Sequence, residues 1–171
     1  EYIQLLYLVN NSLEELPAEF RNMKRLSMLD LTQNRLRVLH PLGSEVAPVQ
    51  LFLDNNQLEE IPTDENGIFC NIADMTDFSA SYNKLRKFPD IFKDAKSAID
   101  NIDLSYNRIT DFTEEETAAF HGVFVETLTL TGNTGITKFP KWLADSESQV
   151  AYIILRGCGI TEIPEGSFKG K

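Results

Sequence analysis

The chain has 171 residues, 42% of them hydrophobic, which is the length of one ordinary domain with enough apolar material for a core, and this excludes a disordered segment. Its formal net charge of -10 repels phosphate backbones and argues against nucleic acid as a partner. No apolar run approaches the roughly 18 residues of a spanning helix, so membrane insertion is not expected.

Read from its start, the chain shows neither a basic leader nor a small-residue cleavage site in Glu1 to Asn11. Ile3, Leu6 and Leu8 are spaced like the inward side of a strand, and then a carboxamide, Asn11, precedes the next apolar residue, Leu13. The same spacing returns at Leu26, Leu29, Leu31, Asn34 and Leu36, and at Leu51, Leu53, Asn56 and Leu58 with Pro48 leading. It recurs at Met75, Phe78, Ala80, Asn83 and Leu85, and at Ile99, Ile102, Leu104, Asn107 and Ile109. Val125, Leu128, Leu130 and Asn133 form a sixth copy in which the next apolar residue, Ile136, is displaced by one. Val150, Ile153, Leu155, Cys158 and Ile160 form the seventh. The leading positions 3, 26, 48, 75, 99, 125 and 150 define repeats of 22 to 27 residues. A fixed period of this size predicts stacked coils, each adding one strand to a parallel sheet.

The second half of each repeat has its own signal. An apolar residue precedes proline at Leu16-Pro17, Ile61-Pro62, Phe88-Pro89, Phe139-Pro140 and Ile163-Pro164, which suits a bend or a first helical turn. Phe20, Phe69, Phe92 and Phe168 follow, with Trp142 and Leu143 in the sixth copy, and are expected to fill the interior. In the fifth copy Thr113 and Glu116 form a capping box, the acidic run Glu114 to Glu116 sits at the helix start, and Gly122 closes the helix. The third copy carries the longest connection, with a turn at Asn66-Gly67.

The recurring carboxamide has a physical reason. Where each strand ends, the chain must turn inside the coil, and its N–H and C=O groups are cut off from water. An orphaned buried group costs roughly 1–3 kcal/mol. Asparagine carries both an acceptor and two donors, so Asn11, Asn34, Asn56, Asn83, Asn107 and Asn133 are expected to form a structural ladder through the turns. Cys158 occupies the last rung with only a weak thiol donor.

Seven copies of L-x-x-L-x-L-x-x-N/C-x-L in register resemble the leucine-rich repeat family over the full length. The resemblance implies an α/β solenoid: a curved parallel sheet on the concave face, with short helices, 3₁₀ turns and loops on the convex face. It implies no cofactor and no catalysis. The Leu-Pro signature and irregular repeat lengths resemble bacterial surface or secreted members, and also intracellular scaffolds; the former favours the extracellular side or cell surface of a bacterium. Because the chain starts in a strand and stops inside a repeat without polar caps, a single solenoid over residues 1–171, cut from a longer protein, is expected.

Catalytic signals are scarce. His40 and His121 fall on well-separated copies, and Cys70 and Cys158 lie about four repeats apart, beyond the ~7 Å Cα reach of a disulfide. No metal-binding or nucleophile motif occurs, so neither a metal site nor an enzyme is expected. Recognition is expected instead, from the outward columns of the sheet. Tyr7, Asp30, Phe52 and Asp103 stand in the middle column and Asp77 in the one before it, with Tyr82 and Tyr106 side by side at its rim. Exposed aromatics ringed by polar groups suit an interface centre, and the carboxylates favour a basic protein partner. Glycan is the alternative ligand, because rings stack on pyranose faces; a third reading makes the repeats the substrate-recognition arm of a larger enzyme.

Overall fold

The computed structural model describes residues 2–92, 95–113, 116, 118, 121–144 and 148–169. Seven strands follow one another along it: β1 (Leu5–Tyr7), β2 (Met28–Asp30), β3 (Gln50–Phe52), β4 (Asp77–Ser79), β5 (Ile99–Asp103), β6 (Phe124–Thr129) and β7 (Gln149–Ile154). They form one parallel sheet whose spatial order is their order in the chain. Each coil therefore pairs only with its neighbours, the architecture of a leucine-rich repeat solenoid.

The register follows the sequence period. Leu6, Leu29, Leu51, Phe78, Ile102, Leu128 and Ile153 are paired from strand to strand in one inward row. Successive strand residues point to opposite faces, so the rows on either side of it face outward. From β2 to β6 the inward row is 0–1% exposed. The core runs without a break from Leu16 to Trp142. In β1 and β7 the inward residues Leu6 and Ile153 are only half-buried.

On the convex side, 3₁₀ helices follow two of the prolines: Ala18–Asn22 after Pro17, and Lys141–Ala144 after Pro140. Behind the sheet the rings of Phe78, Phe92, Phe88, Phe112 and Trp142 touch in sequence, with centroids 5.4–5.8 Å apart and planes tilted or edge-on. Aromatic quadrupoles favour such geometry over face-to-face contact, and this spine ties coils four to six together. Phe168 departs from the interior expected for it. It is 60% exposed and stands edge-on to Phe139, with centroids 5.4 Å apart.

The capping box is formed: the Thr113 N–H donates to Glu116 Oε2 at 2.7 Å, and the Glu116 N–H donates to Thr113 Oγ1 at 3.2 Å. Glu114 and Glu115 lie outside the described residues. In the third connection Asp64 Oδ1 accepts the N–H groups of Asn66 and Ile68, and Gly67 takes a φ of 76° to close the turn.

Candidate functional site

The turn at the end of each strand positions the concave surface. Asn34, Asn56, Asn83, Asn107 and Asn133 are all buried. Each amide donates to a carbonyl of the preceding coil at 2.8–3.0 Å, namely Leu8, Leu31, Leu53, Ala80 and Leu104. Each also donates to a carbonyl of its own strand end at 2.9–3.2 Å. Each Oδ1 accepts an N–H from the preceding coil at 2.9–3.1 Å. Asn11 differs: it is exposed and donates within its own turn, to Leu8 and Val9. The Cys158 thiol reaches back to the Leu130 carbonyl at 3.4 Å, the same direction with a weaker donor. Desolvation raises its pKa, against a backbone hydrogen bond from Asn133. Cys70, on a connection, is pushed up to about 12 by burial.

One position before each rung the backbone is left-handed in every coil: Asn10, Gln33, Asn55, Tyr82, Tyr106, Gly132 and Gly157 have φ between 52° and 76°. Glycine and asparagine adopt this conformation at least cost. Tyrosine does not, yet two adjacent coils place one there. Their rings stack with centroids 4.4 Å apart and planes 18° from parallel. The far face of Tyr106 lies against Gly132, where a Cβ would come within 2.5 Å of the ring. Glycine in coil six therefore makes room for the tyrosine of coil five. Tyr82 and Tyr106 remain 51% and 47% exposed. Desolvation, the neighbouring Tyr106 with its hydrogen bond, and the Asp103 carboxylate push the Tyr82 phenol above its ordinary pKa.

The carboxylates of this face are held by hydrogen bonds from adjacent coils and from their own. Asp77 accepts from Gln50 Nε2 at 3.0 Å, Thr76 Oγ1 at 2.9 Å and Asn101 Nδ2 at 3.0 Å. Partial burial alone would raise its pKa, but these bonds from Asn101, Gln50 and Thr76 outweigh it and hold the carboxyl below the usual range. Asp54 accepts from Ser81 N at 2.7 Å, Ser81 Oγ at 2.6 Å, and Ser79 Oγ. Asp30 and Asp103 each accept the N–H two residues on, from Thr32 and Ser105. Asp30, Phe52, Asp77 and Asp103 are half-exposed, and Tyr7 is 60% exposed. The middle outward column joins Tyr7, Asp30, Phe52 and Asp103 through paired strands, with Asp77 in the adjacent column.

Two features lay outside the sequence reading. The left-handed column is marked by asparagine or glycine in four of its seven positions, a signal masked by the tyrosines and Gln33. Asp111 on the descending flank accepts from Thr137 N, Thr137 Oγ1 and Lys138 N at 2.6–2.8 Å, stapling coils five and six. Slight desolvation raises its pKa, but the hydrogen bonds from Lys138 and Thr137 and the Lys138 charge bring it below the ordinary value. Among the described residues no group of three or more histidine, cysteine, aspartate or glutamate side chains is placed to hold a metal ion.

No family model matches the chain. Fibromodulin of Homo sapiens is 27% identical over 135 residues, covering 66% of this chain and 35% of fibromodulin. Keratocan of Mus musculus is 27% identical over 164 residues, covering 78% of this chain and 46% of keratocan. A leucine-rich repeat protein from Bacteroides eggerthii superposes with a TM-score of 0.77 at 34% identity, covering 95% of this chain and 27% of that one. A leucine-rich repeat protein of Leptospira interrogans shares the fold with a TM-score of 0.77 at 24% identity, covering 98% of this chain and 41% of that one. The chain thus spans between about a quarter and a half of the length of these proteins. It is a leucine-rich repeat protein.

Proposed function

We propose that this solenoid is a non-catalytic recognition module that binds a protein partner through its concave sheet, centred on Tyr82, Tyr106, Asp77 and Asp103 and extending over Asp30 and Phe52 to Tyr7. The carrying observation is the Tyr82–Tyr106 stack. Two tyrosines occupy left-handed positions that glycine or asparagine fills more cheaply, and both rings remain about half-exposed. Outliers of this kind collect at ligand clamps. The carboxylates beside the stack are fixed by hydrogen bonds, Asp77 by Gln50 and Asn101 of the adjacent coils and Asp103 by the Ser105 N–H of its own, and they favour a partner with basic side chains, whose cations also pack on aromatic faces. The likeness to fibromodulin and keratocan supports an extracellular setting.

The test is capture of protein partners by the parent chain and by Tyr82→Asn and Asp103→Ala. Asparagine accepts the left-handed turn, so Tyr82→Asn is expected to fold while losing the captured partner. Asp103→Ala is expected to leave stability within about 0.5 kcal/mol and to weaken binding. A partner retained equally by both variants would overturn the reading. Glycan is the second reading, favoured by the flat ring stack beside carboxylates. A glycan array decides for it if sugars bind the parent and not Tyr82→Asn.

A further inference from the structure

The chain is acidic, with 16 lysines and arginines against 26 aspartates and glutamates, yet its cations are not evenly spread. On the flank where each coil descends from its rung, consecutive coils are joined by backbone hydrogen bonds. The Arg35 N–H donates to Leu13, Gln57 to Leu36, Lys84 to Leu58 and Arg108 to Leu85. The residue after the rung is thus Arg35, Gln57, Lys84 and Arg108 in coils two to five, a row spaced at roughly 4.8 Å per coil. Two residues further, Arg37 and Arg86 extend it, with Lys87 alongside.

A cleft of about 910 Å³ opens beside this row across coils two to four. Arg37, Lys84, Arg86 and Lys87 line it, and all but half-buried Lys84 are exposed. Its apolar lining includes exposed Val38, half-buried Ile61 and buried Phe88. Glu59, Glu60 and Asp90 are the carboxylates there, and Glu59 is paired with Arg86 at 3.1 Å. Arg37, Lys84 and Lys87 line the opening together with Glu60 and Asp90, and Arg35 and Arg108 stand at the ends of the row beside it. In the cleft's lining four cations outnumber three carboxylates, against the acidic balance of the chain as a whole.

We propose that this flank cleft is a second binding site, separate from the concave face, which takes a short extended acidic peptide segment with an apolar side chain between carboxylates. Charge complementarity selects the acid. An aliphatic side chain fits the Val38 and Ile61 lining better than the hydroxyl- and sulfate-covered surface of a sulfated glycan, so the lining favours a peptide. The width of three coils, about 10 Å between the outer two, matches about three residues of extended chain.

Fluorescence anisotropy with a labelled peptide of alternating glutamate and valine tests this. Saturable binding that weakens with salt is expected, as is a loss of roughly tenfold or more in Lys84→Glu/Lys87→Glu. Tyr82→Asn is expected to bind the peptide like the parent. Should the double variant fail to fold, Arg37→Ser/Lys87→Ser, both at exposed positions, carries the same comparison. The proposal is overturned by absent binding, by equal binding in the folded charge variant, by loss in Tyr82→Asn, or by a heparin oligosaccharide or a lysine–valine peptide that binds more tightly. None of these results depends on whether the concave face has a partner.

Discussion

At the scale of single residues, the same amino acid does different work according to what lies beyond it. Asn107 bonds four backbone groups at once: it donates to Ala80, Leu104 and Ser105 at 2.9, 3.1 and 3.3 Å and accepts from Leu85 at 2.9 Å. Two of those groups belong to the preceding coil, so the side chain bonds the turn and the stack together. Asn11 has the same place in its repeat but reaches only carbonyls of its own exposed turn. Water can replace those bonds. Asn107→Ala is therefore expected to lower folding stability by roughly 1–3 kcal/mol, because it leaves buried groups without partners. Asn11→Ala is expected to stay within about 0.5 kcal/mol of the parent. Urea unfolding of the two variants beside the parent checks the pair, and equal midpoints for Asn107→Ala and the parent would contradict the role given to the rung.

At the scale of elements, polar staples between coils add to the packed core. Gln50 and Asn101 grip Asp77 from the coils on either side, and Thr137 and Lys138 grip Asp111 from the coil after it. The sequence period allowed Asp77 to be placed on the outward face, since that depends only on strand alternation. It did not reveal the donors, which stand 24 to 27 residues away and come together only once the columns are aligned. Nor did it reveal the left-handed turn under Tyr82 and Tyr106, because tyrosine carries no preference for that conformation. The staples have a pH signature. Both carboxyls sit below their ordinary range when folded. A group of this kind stabilises the fold above its unfolded pKa, near ~4, and that contribution is lost as pH falls through the lower folded value. Urea midpoints are thus expected to decline on acidification below about pH 4, and Asp77→Asn/Asp111→Asn to decline less steeply. An identical slope in the double variant would remove the staples from the account.

At the scale of the whole molecule, one repeated constraint explains why the architecture was legible and its stability profile was not. Seven copies of one apolar spacing have a common solution, coils stacked in phase, and the paired rows Leu6 to Ile153 follow that phase from strand to strand. Burial, by contrast, depends on having a neighbour on both sides. The inward residues of β2 to β6 are at most 1% exposed, whereas Leu6 and Ile153 are half-buried, and Leu5, Tyr7 and Tyr152 are 58–64% exposed. In a chain whose coils touch only adjacent coils, stability is close to a sum of coil and interface terms, and opening proceeds from the less buried coils. The aromatic spine from Phe78 to Trp142 adds to the interfaces of coils four to six. Hydrogen exchange of this 171-residue chain is therefore expected to be slowest in β4 and β5, intermediate in β2, β3 and β6, and fastest in β1 and β7. Mass spectrometry of peptic fragments reads that order directly. Uniform protection across all seven strands would mean that the coils open as one unit, and that burial in each does not set its local stability.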